Sequence, residues 1–241
     1  VVPTQQQALA DTQDLQLSLT DTQISALLAF AGMLEKWNKH FNLLSRRDIE
    51  RIWSRHILDS LSIAALLHGR KILDLGSGGG FPGLPLAIVA PEREFLLVDR
   101  HQRKCRFLEQ VATTLELANV RVHCGDVAEL IPAPVSSRST PAQGSAGGSY
   151  DTITSRAVAP AAAIWRLAQP LLAAGEKRVD QDSKEIAEQA GGRLAGRLIV
   201  MAGTRNSSAQ LPEGARCERL SIPGLEQDHE VVIIDASITD G

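Results

Sequence analysis

Two periodicities divide the chain. From Thr20 onward, Ile24, Leu27, Leu28, Ala31 and Leu34 fall at helical spacing and share one apolar face, and Thr20 with Gln23 forms a capping box that starts the helix. Trp37 to Leu44 reads as a turn-like segment. A second amphipathic helix is predicted between Asp48 and Leu67, with Ile49, Ile52, Trp53, His56 and Ile57 on one stripe. From Lys71 the pattern shifts to short apolar runs: 71–75, 95–99, 120–124, 150–154 and 197–201. Helical patterns separate most of them, at Leu84–Val89, at Phe107, Leu108, Val111 and Leu115, and at Ala161–Leu172. This alternation predicts an α/β fold with a doubly wound, mostly parallel sheet and helices on both faces. Val231–Ile234 reads as a final antiparallel strand, and a hairpin closing the sheet edge fits Pro223-Gly224 ahead of it.

Residues 1–18 read as a polar leader, and 19–241 as one domain whose first part, 19–68, is a helical extension. Two segments break the pattern. Ser136–Ser149 is small and polar and reads as a flexible loop, because it has too little apolar surface to order itself. The charged stretch within 176–190 reads as an exposed inserted helix. The 241 residues are 44% hydrophobic and 22% charged, which excludes a mostly disordered or collagen-like chain. No apolar run approaches the ~20 residues that span a bilayer, and a soluble cytoplasmic monomer is expected. The 3 Cys (Cys105, Cys124, Cys217) are widely spaced, so neither a disulfide scaffold nor a metal site is expected. They read as structural, with Cys124 buried in the third strand. A net charge of −3 gives no global basic field, so any nucleic-acid contact must come from local patches.

The segment Ile72 to Gly83 carries the chemistry. It is a strand-to-helix turn at the first crossover, where doubly wound sheets bind ligands. Gly78 to Gly83 matches the dinucleotide pattern GxGxxG, but a run of glycines matches many patterns. Asp74, just ahead of the glycines, is expected to turn its charge to the ligand. A pyrophosphate would be repelled there, whereas the ammonium and sulfonium of S-adenosylmethionine would be attracted. At ~4 Å and an effective dielectric near 20 such a pair is worth about 4 kcal/mol before desolvation. Asp99, closing the second strand, suits a ribose diol in either cofactor. Asp126, after the third strand, is placed to reach an adenine amino group.

The pattern Asp-x-Gly-x-Gly-x-Gly followed by an acid closing strand two resembles a class I S-adenosylmethionine-dependent methyltransferase, a Rossmann-like fold. More narrowly, Trp37-Asn38-Lys39 with Phe41-Asn42-Leu43, Arg55-His56-Ile57-Leu58-Asp59-Ser60, the segment Asp74 to Leu86 and Ser155-Arg156-Ala157 resemble the bacterial small-subunit ribosomal RNA methyltransferase G family (glucose-inhibited division protein B). The likeness runs from about Leu19 to Ile234. It implies methyl transfer from S-adenosylmethionine to guanine N7 of 16S ribosomal RNA in the small subunit. It implies cofactor contacts at Asp74, Gly76, Ser77, Gly78, Gly80, Phe81, Asp99, Asp126, Val127, Ala128 and Arg156, with Arg156 also reaching the reacting groups. The chain departs from the family where Asp126 replaces an arginine, where Met201-Ala202-Gly203 lacks a lysine, and where Gln227-Asp228-His229 precedes the last strand.

Guanine N7 has a free lone pair, so its methylation needs no base, only placement and a preorganised site. His56 accordingly reads as a hydrogen-bonded core residue with Asp59 as neighbour. Arg46, Arg47, Arg51 and Arg55 form one basic cluster and Arg100, Arg103, Lys104 and Arg106 another. Either can face RNA or solvent. Trp37, Phe41 and Trp53 suit core packing better than base stacking. The alternatives left open are a methyltransferase on a small molecule or protein, an NAD(P)-dependent oxidoreductase, and a cofactor-binding paralogue without RNA activity.

Overall fold

The computed structural model describes residues 2–131, 150–156, 158–173, 195–202, 211, 214–226 and 228–236. Ser136–Ser149 and Glu176–Gln189 lie outside them.

The chain opens with a helix, α1 (Gln5–Asp14), where a polar leader was expected. Thr4 and Gln7 form a capping box like that of Thr20 and Gln23. Ala8 and Thr12 are buried, and the Trp53 indole N–H donates to Asp11 Oδ2 at 2.7 Å. Tertiary docking, not a strong apolar stripe, therefore orders this segment. Helix α2 (Asp21–Phe41) runs through most of the expected turn and ends at Asn42, which takes the left-handed conformation. Asn38 then accepts from the Leu44 N–H at 2.7 Å and donates to the Leu44 carbonyl at 3.1 Å, pinning the chain at Leu43-Leu44.

The single helix expected over 48–67 is broken into four pieces. These are α3 (Arg46–Ile49), a π-helical turn (Ile52–Leu58), α4 (Asp59–Leu61) and a 3-10 turn (Ala64–Leu66). Ile52, Trp53 and every residue from His56 to Leu61 are buried, more than one α-helical stripe can hide. The wider π turn brings these groups inward together, as such turns do near functional sites.

The sheet contains β1 (Lys71–Leu75), β2 (Glu94–Asp99), β3 (Val120–Cys124), β4 (Thr152–Arg156), β5 (Arg197–Ala202), β6 (Arg216–Leu220) and β7 (His229–Asp235). Its order is β3-β2-β1-β4-β5-β7-β6. The first five strands pair in parallel, and β7 runs antiparallel between β5 and β6. Strand β4 starts two residues later than expected, and Tyr150 makes an isolated bridge to Leu172. The connections are α5 (Gly83–Val89), α6 (Gln102–Thr114) and α7 (Ala161–Ala168). Alternation along β1 sends Ile72 into the core under α2, α5 and α6, and Leu73 and Leu75 into the core under α7. The order reverses between β1 and β4, which opens a crevice at the carboxyl ends of the strands.

Cys105 on α6 and Cys124 on β3 are joined as a disulfide, with Cα atoms 5.7 Å apart. Cys105 is buried but Cys124 is exposed, so the expected burial of Cys124 is not found. The last residue of an outer strand has a neighbour on one side only. No helix among the described residues is long and apolar enough to cross a membrane. None of their His, Cys, Asp and Glu residues cluster to hold a metal ion.

Candidate cofactor site

A cavity of about 600 Å³ fills the crevice at the strand ends. Its floor is the turn after β1, at Gly76, Ser77, Gly78 and Phe81; Asp99, Arg100, His101 and Lys104 form one side, Asp126 and Val127 a second, and Arg156 the inner wall. Eight of the candidates expected from the sequence meet here: Gly76, Ser77, Gly78, Phe81, Asp99, Asp126, Val127 and Arg156. Asp74, Gly80 and Ala128 are not among the lining residues.

The position of Asp74 corrects the expectation that its charge meets the ligand. Strand alternation turns it beneath the loop, onto the α5 side of the sheet, where it is fully buried. Its Oδ2 accepts from the Gly83 N–H at 3.2 Å and its Oδ1 from the Thr154 hydroxyl at 3.0 Å. Burial pushes its carboxyl up to about 6, despite these donors and Ser77. Asp74 ties the end of the glycine loop to the sheet. Glycine at 83 leaves room for this, because a Cβ there would come within 2.7 Å of Asp74 Oδ2 and closer still to Leu97 Cδ2, and these side chains would have to shift.

The backbone amides discriminate between ligands better than Asp74 does. The Gly76 and Ser77 N–H groups both donate to the Val98 carbonyl, at 2.9 and 3.0 Å. Those of Gly80 and Phe81 donate to the Ser77 carbonyl at 2.7 and 3.0 Å, and that of Gly78 to Asp99 Oδ2 at 3.0 Å. A dinucleotide site aims such amides at a pyrophosphate; here four of the five are taken by main-chain carbonyls and the Gly78 amide by the Asp99 carboxylate. Gly76 has φ +72°, and a Cβ on it would lie 2.5 Å from Val158 Cγ2.

Asp99 faces the cavity with an ionised carboxylate. Burial alone would raise its carboxyl, but the His101 N–H at 2.8 Å, the His101 ring at 2.9 Å, Lys104 and Gly78 together hold it below the usual range. Asp126 accepts from the Ala128 N–H at 2.9 Å and so caps the 3-10 turn Val127–Leu130. Ala128 contributes its amide to that cap while its side chain is exposed.

Arg156, at the end of β4, lies with its guanidinium 4.8 Å from the centre of the Phe81 ring. Its Nη1 is 3.3 Å from Asp59 Oδ2, and its Nη2 donates to His56 Nδ1. The arginine thus stands where a His56–Asp59 pair was expected. His56 stacks on Phe81, ring centres 5.0 Å apart. Burial, with Arg156 alongside, lowers its pKa to about 3, so it is a neutral imidazole.

Several lining residues escape sequence reasoning. Leu43 and Leu44 reach the cavity because Asn38 pins them, and Val158, Ile164 and Leu167 close the mouth from the β4–α7 side. Val158 and Leu167 are exposed apolar residues at a cavity rim, a signal visible only in three dimensions. Trp37 packs on Phe107 and Phe41, and Trp53 is buried, as core packing requires, whereas Phe41 is exposed.

A crevice at the reversal of strand order, a glycine turn whose amides are internally bonded and an acid closing β2 define a Rossmann-like class I methyltransferase. Solved structures share this fold. Cofactor-bound Rv0187 from MTB aligns with TM-score 0.53 at 16% identity, over 93% of this chain and 94% of that one. A methyltransferase from Geobacter sulfurreducens aligns with TM-score 0.50 at 12% identity, over 96% of each. In sequence, the Ribosomal RNA small subunit methyltransferase G of Ralstonia nicotianae is 36% identical over 95% of this chain and 98% of its own. That of Methylococcus capsulatus is 36% identical over 87% of each. The family model for rRNA small subunit methyltransferase G matches residues 23–190. The chain belongs to the rRNA small subunit methyltransferase G family, and its methyl donor is S-adenosylmethionine.

Proposed function

We propose that this protein transfers a methyl group from S-adenosylmethionine to guanine N7 of 16S ribosomal RNA in the small subunit, acting as a cytoplasmic monomer. The observation that carries this reading is the Asp99 side of the cavity. There an ionised carboxylate faces a space where the amides of Gly76, Ser77 and Phe81 are bonded to main-chain carbonyls and that of Gly78 to the carboxylate itself, which suits a ribose diol and a cationic donor rather than a pyrophosphate.

The residues fit such a cofactor. Asp99 would accept from the ribose hydroxyls, Asp126 and Val127 would border the adenine, and Gly76 and Gly78 would allow close backbone approach. Bound there, the cofactor supplies an electrophilic sulfonium methyl. Guanine N7 would form the new N–CH3 bond with its own lone pair as the S–CH3 bond breaks and S-adenosylhomocysteine leaves, so the protein has to place the base and exclude water rather than remove a proton. Val158, Leu167 and Leu44 give the mouth apolar surface for a base, while Arg100, His101 and Lys104 give it donors for phosphate oxygens. Arg156 lines the cavity and would be the residue that touches the reacting groups.

The test is calorimetry with S-adenosylmethionine, followed by tritiated-methyl transfer to small subunits lacking this modification. Binding with incorporation of label into 16S RNA supports the reading. Binding without incorporation into any RNA leaves a cofactor-holding paralogue instead.

A further inference from the structure

Asp59 is outside the cavity wall and almost fully buried, and it divides its two oxygens between two basic side chains from distant parts of the chain. Its Oδ2 faces Arg156 Nη1 at 3.3 Å, and its Oδ1 accepts from His229 Nδ1 at 2.7 Å. Three elements meet in this way: the start of α4, the end of β4 and the start of β7. A carboxylate is costly to bury unless it is paired, and this one is paired on both sides.

Around Arg156 the geometry is equally closed. Below the guanidinium lies the Phe81 ring at 4.8 Å, and beside it His56 Nδ1 accepts from Nη2. That contact puts the His56 proton on Nε2, where Asp48 Oδ1 lies 3.8 Å away. Phe81, His56 and the Arg55 carbonyl, 3.5 Å from Nη1, bound the arginine through a ring face and neutral acceptors. Of the groups bonded to it, Asp59 supplies the directional ionic contact. An arginine side chain with several free torsions needs such a contact to hold one orientation at a reacting centre.

We propose that Asp59 is a positioning residue for methyl transfer: it fixes the Arg156 guanidinium over Phe81 at the inner wall of the cavity, and His229 fixes Asp59. This rests on the reading that the cavity holds the methyl donor and that Arg156 faces it. The role also gives the antiparallel edge of the sheet a link to the chemistry, since His229 belongs to β7.

The experiment is a double-mutant cycle on the full chain, with Asp59→Asn, Arg156→Lys, the double variant, and His229→Asn. Calorimetry gives the S-adenosylmethionine Kd, and steady-state methylation of unmodified small subunits gives kcat and KM. Loss of a hydrogen bond to a charged group predicts that Asp59→Asn lowers kcat by about 10- to 100-fold. The KM for subunits should stay within about threefold, because RNA docking uses other residues. In the Arg156→Lys background the same change should cost less than about threefold, since both substitutions remove one interaction. His229→Asn should give a smaller loss of kcat in the same direction. A folded Asp59→Asn protein with wild-type kcat overturns the proposal, as do effects of Asp59→Asn and Arg156→Lys that multiply independently. If Asp59→Asn does not fold, His229→Asn decides: lower kcat at unchanged Kd supports the link, and unchanged kcat overturns it. A wild type that binds no S-adenosylmethionine overturns the cofactor reading itself and Asp59's role with it.

Discussion

Asp74→Asn separates two roles that the same residue could have played. Asparagine keeps the shape. Its Oδ1 can accept from the Gly83 N–H, and its amide can donate to the Thr154 hydroxyl, which rotates to accept. The substitution therefore mimics the protonated acid. In the folded protein the Asp74 carboxyl is pushed from 3.8 up to about 6 by burial. Between those values the folded chain holds a proton that the unfolded chain has released, so raising the pH through this window lowers stability. A shift of roughly two pKa units corresponds to about 3 kcal/mol, present as a penalty above pH ~6 and absent below pH ~4. Buried His56 and half-buried His68, with pKa values lowered to about 3 and about 4, add an opposing slope, but they are common to both proteins. The difference between the two stability curves thus isolates Asp74. Urea unfolding at intervals from pH 4 to 8 should show Asp74→Asn equal to wild type at the acid end. It should become more stable by up to about 3 kcal/mol at pH 7.5, with S-adenosylmethionine affinity unchanged within about threefold. Were the carboxylate facing the donor's charge, removing an attraction of about 4 kcal/mol would cut affinity about a thousandfold. That result, or a stability difference that does not vary with pH, refutes the placement of Asp74 under the loop.

Gly76→Ala forces a Cβ to 2.5 Å from Val158 at φ +72°, and should weaken S-adenosylmethionine binding at least about tenfold by calorimetry while leaving the chain folded. Charge removal at the mouth, Arg100→Gln with Lys104→Gln, should raise KM for small subunits. It should also make the logarithmic salt slope of binding shallower by about 0.7–0.9 for each phosphate no longer neutralised. Binding of S-adenosylmethionine by that variant should be kept, because Lys104 lies 3.8 Å from Asp99 Oδ2 and the His101 and Gly78 bonds remain. Asp11→Ala removes the acceptor of the Trp53 indole and should cost about 1–2 kcal/mol in urea unfolding, with the first helix becoming the earliest site of amide exchange.

What the sequence discloses follows from how local each signal is. The glycine turn and Asp99 are legible because a strand, a turn and a helix close together in sequence define their place, whereas Arg156 is singled out only by the family resemblance of Ser155-Arg156-Ala157. The face of Asp74 was not, since a strand buried on both sides shows no apolar–polar alternation to mark which way each residue points. Strand β6 was missed beyond the suggestion of a hairpin: Arg216-Cys217-Glu218-Arg219-Leu220 pairs on one side only and carries mostly polar, exposed residues. The π turn was missed because its stripe resembles that of an α-helix until the burial of Asp59 and Ser60 is seen. The Asp59 contacts span 97 and 170 positions, distances at which a single sequence contains no pairing signal.

The most direct test of the proposed activity is to incubate the full chain and S-adenosylmethionine with small subunits lacking the modification, digest the 16S RNA and identify the methylated nucleoside by mass spectrometry. The expected product is 7-methylguanosine at one site, formed only with S-adenosylmethionine and absent with Arg156→Met. Methyl transfer to another atom or another molecule, or cofactor binding with no modified nucleoside, would contradict it.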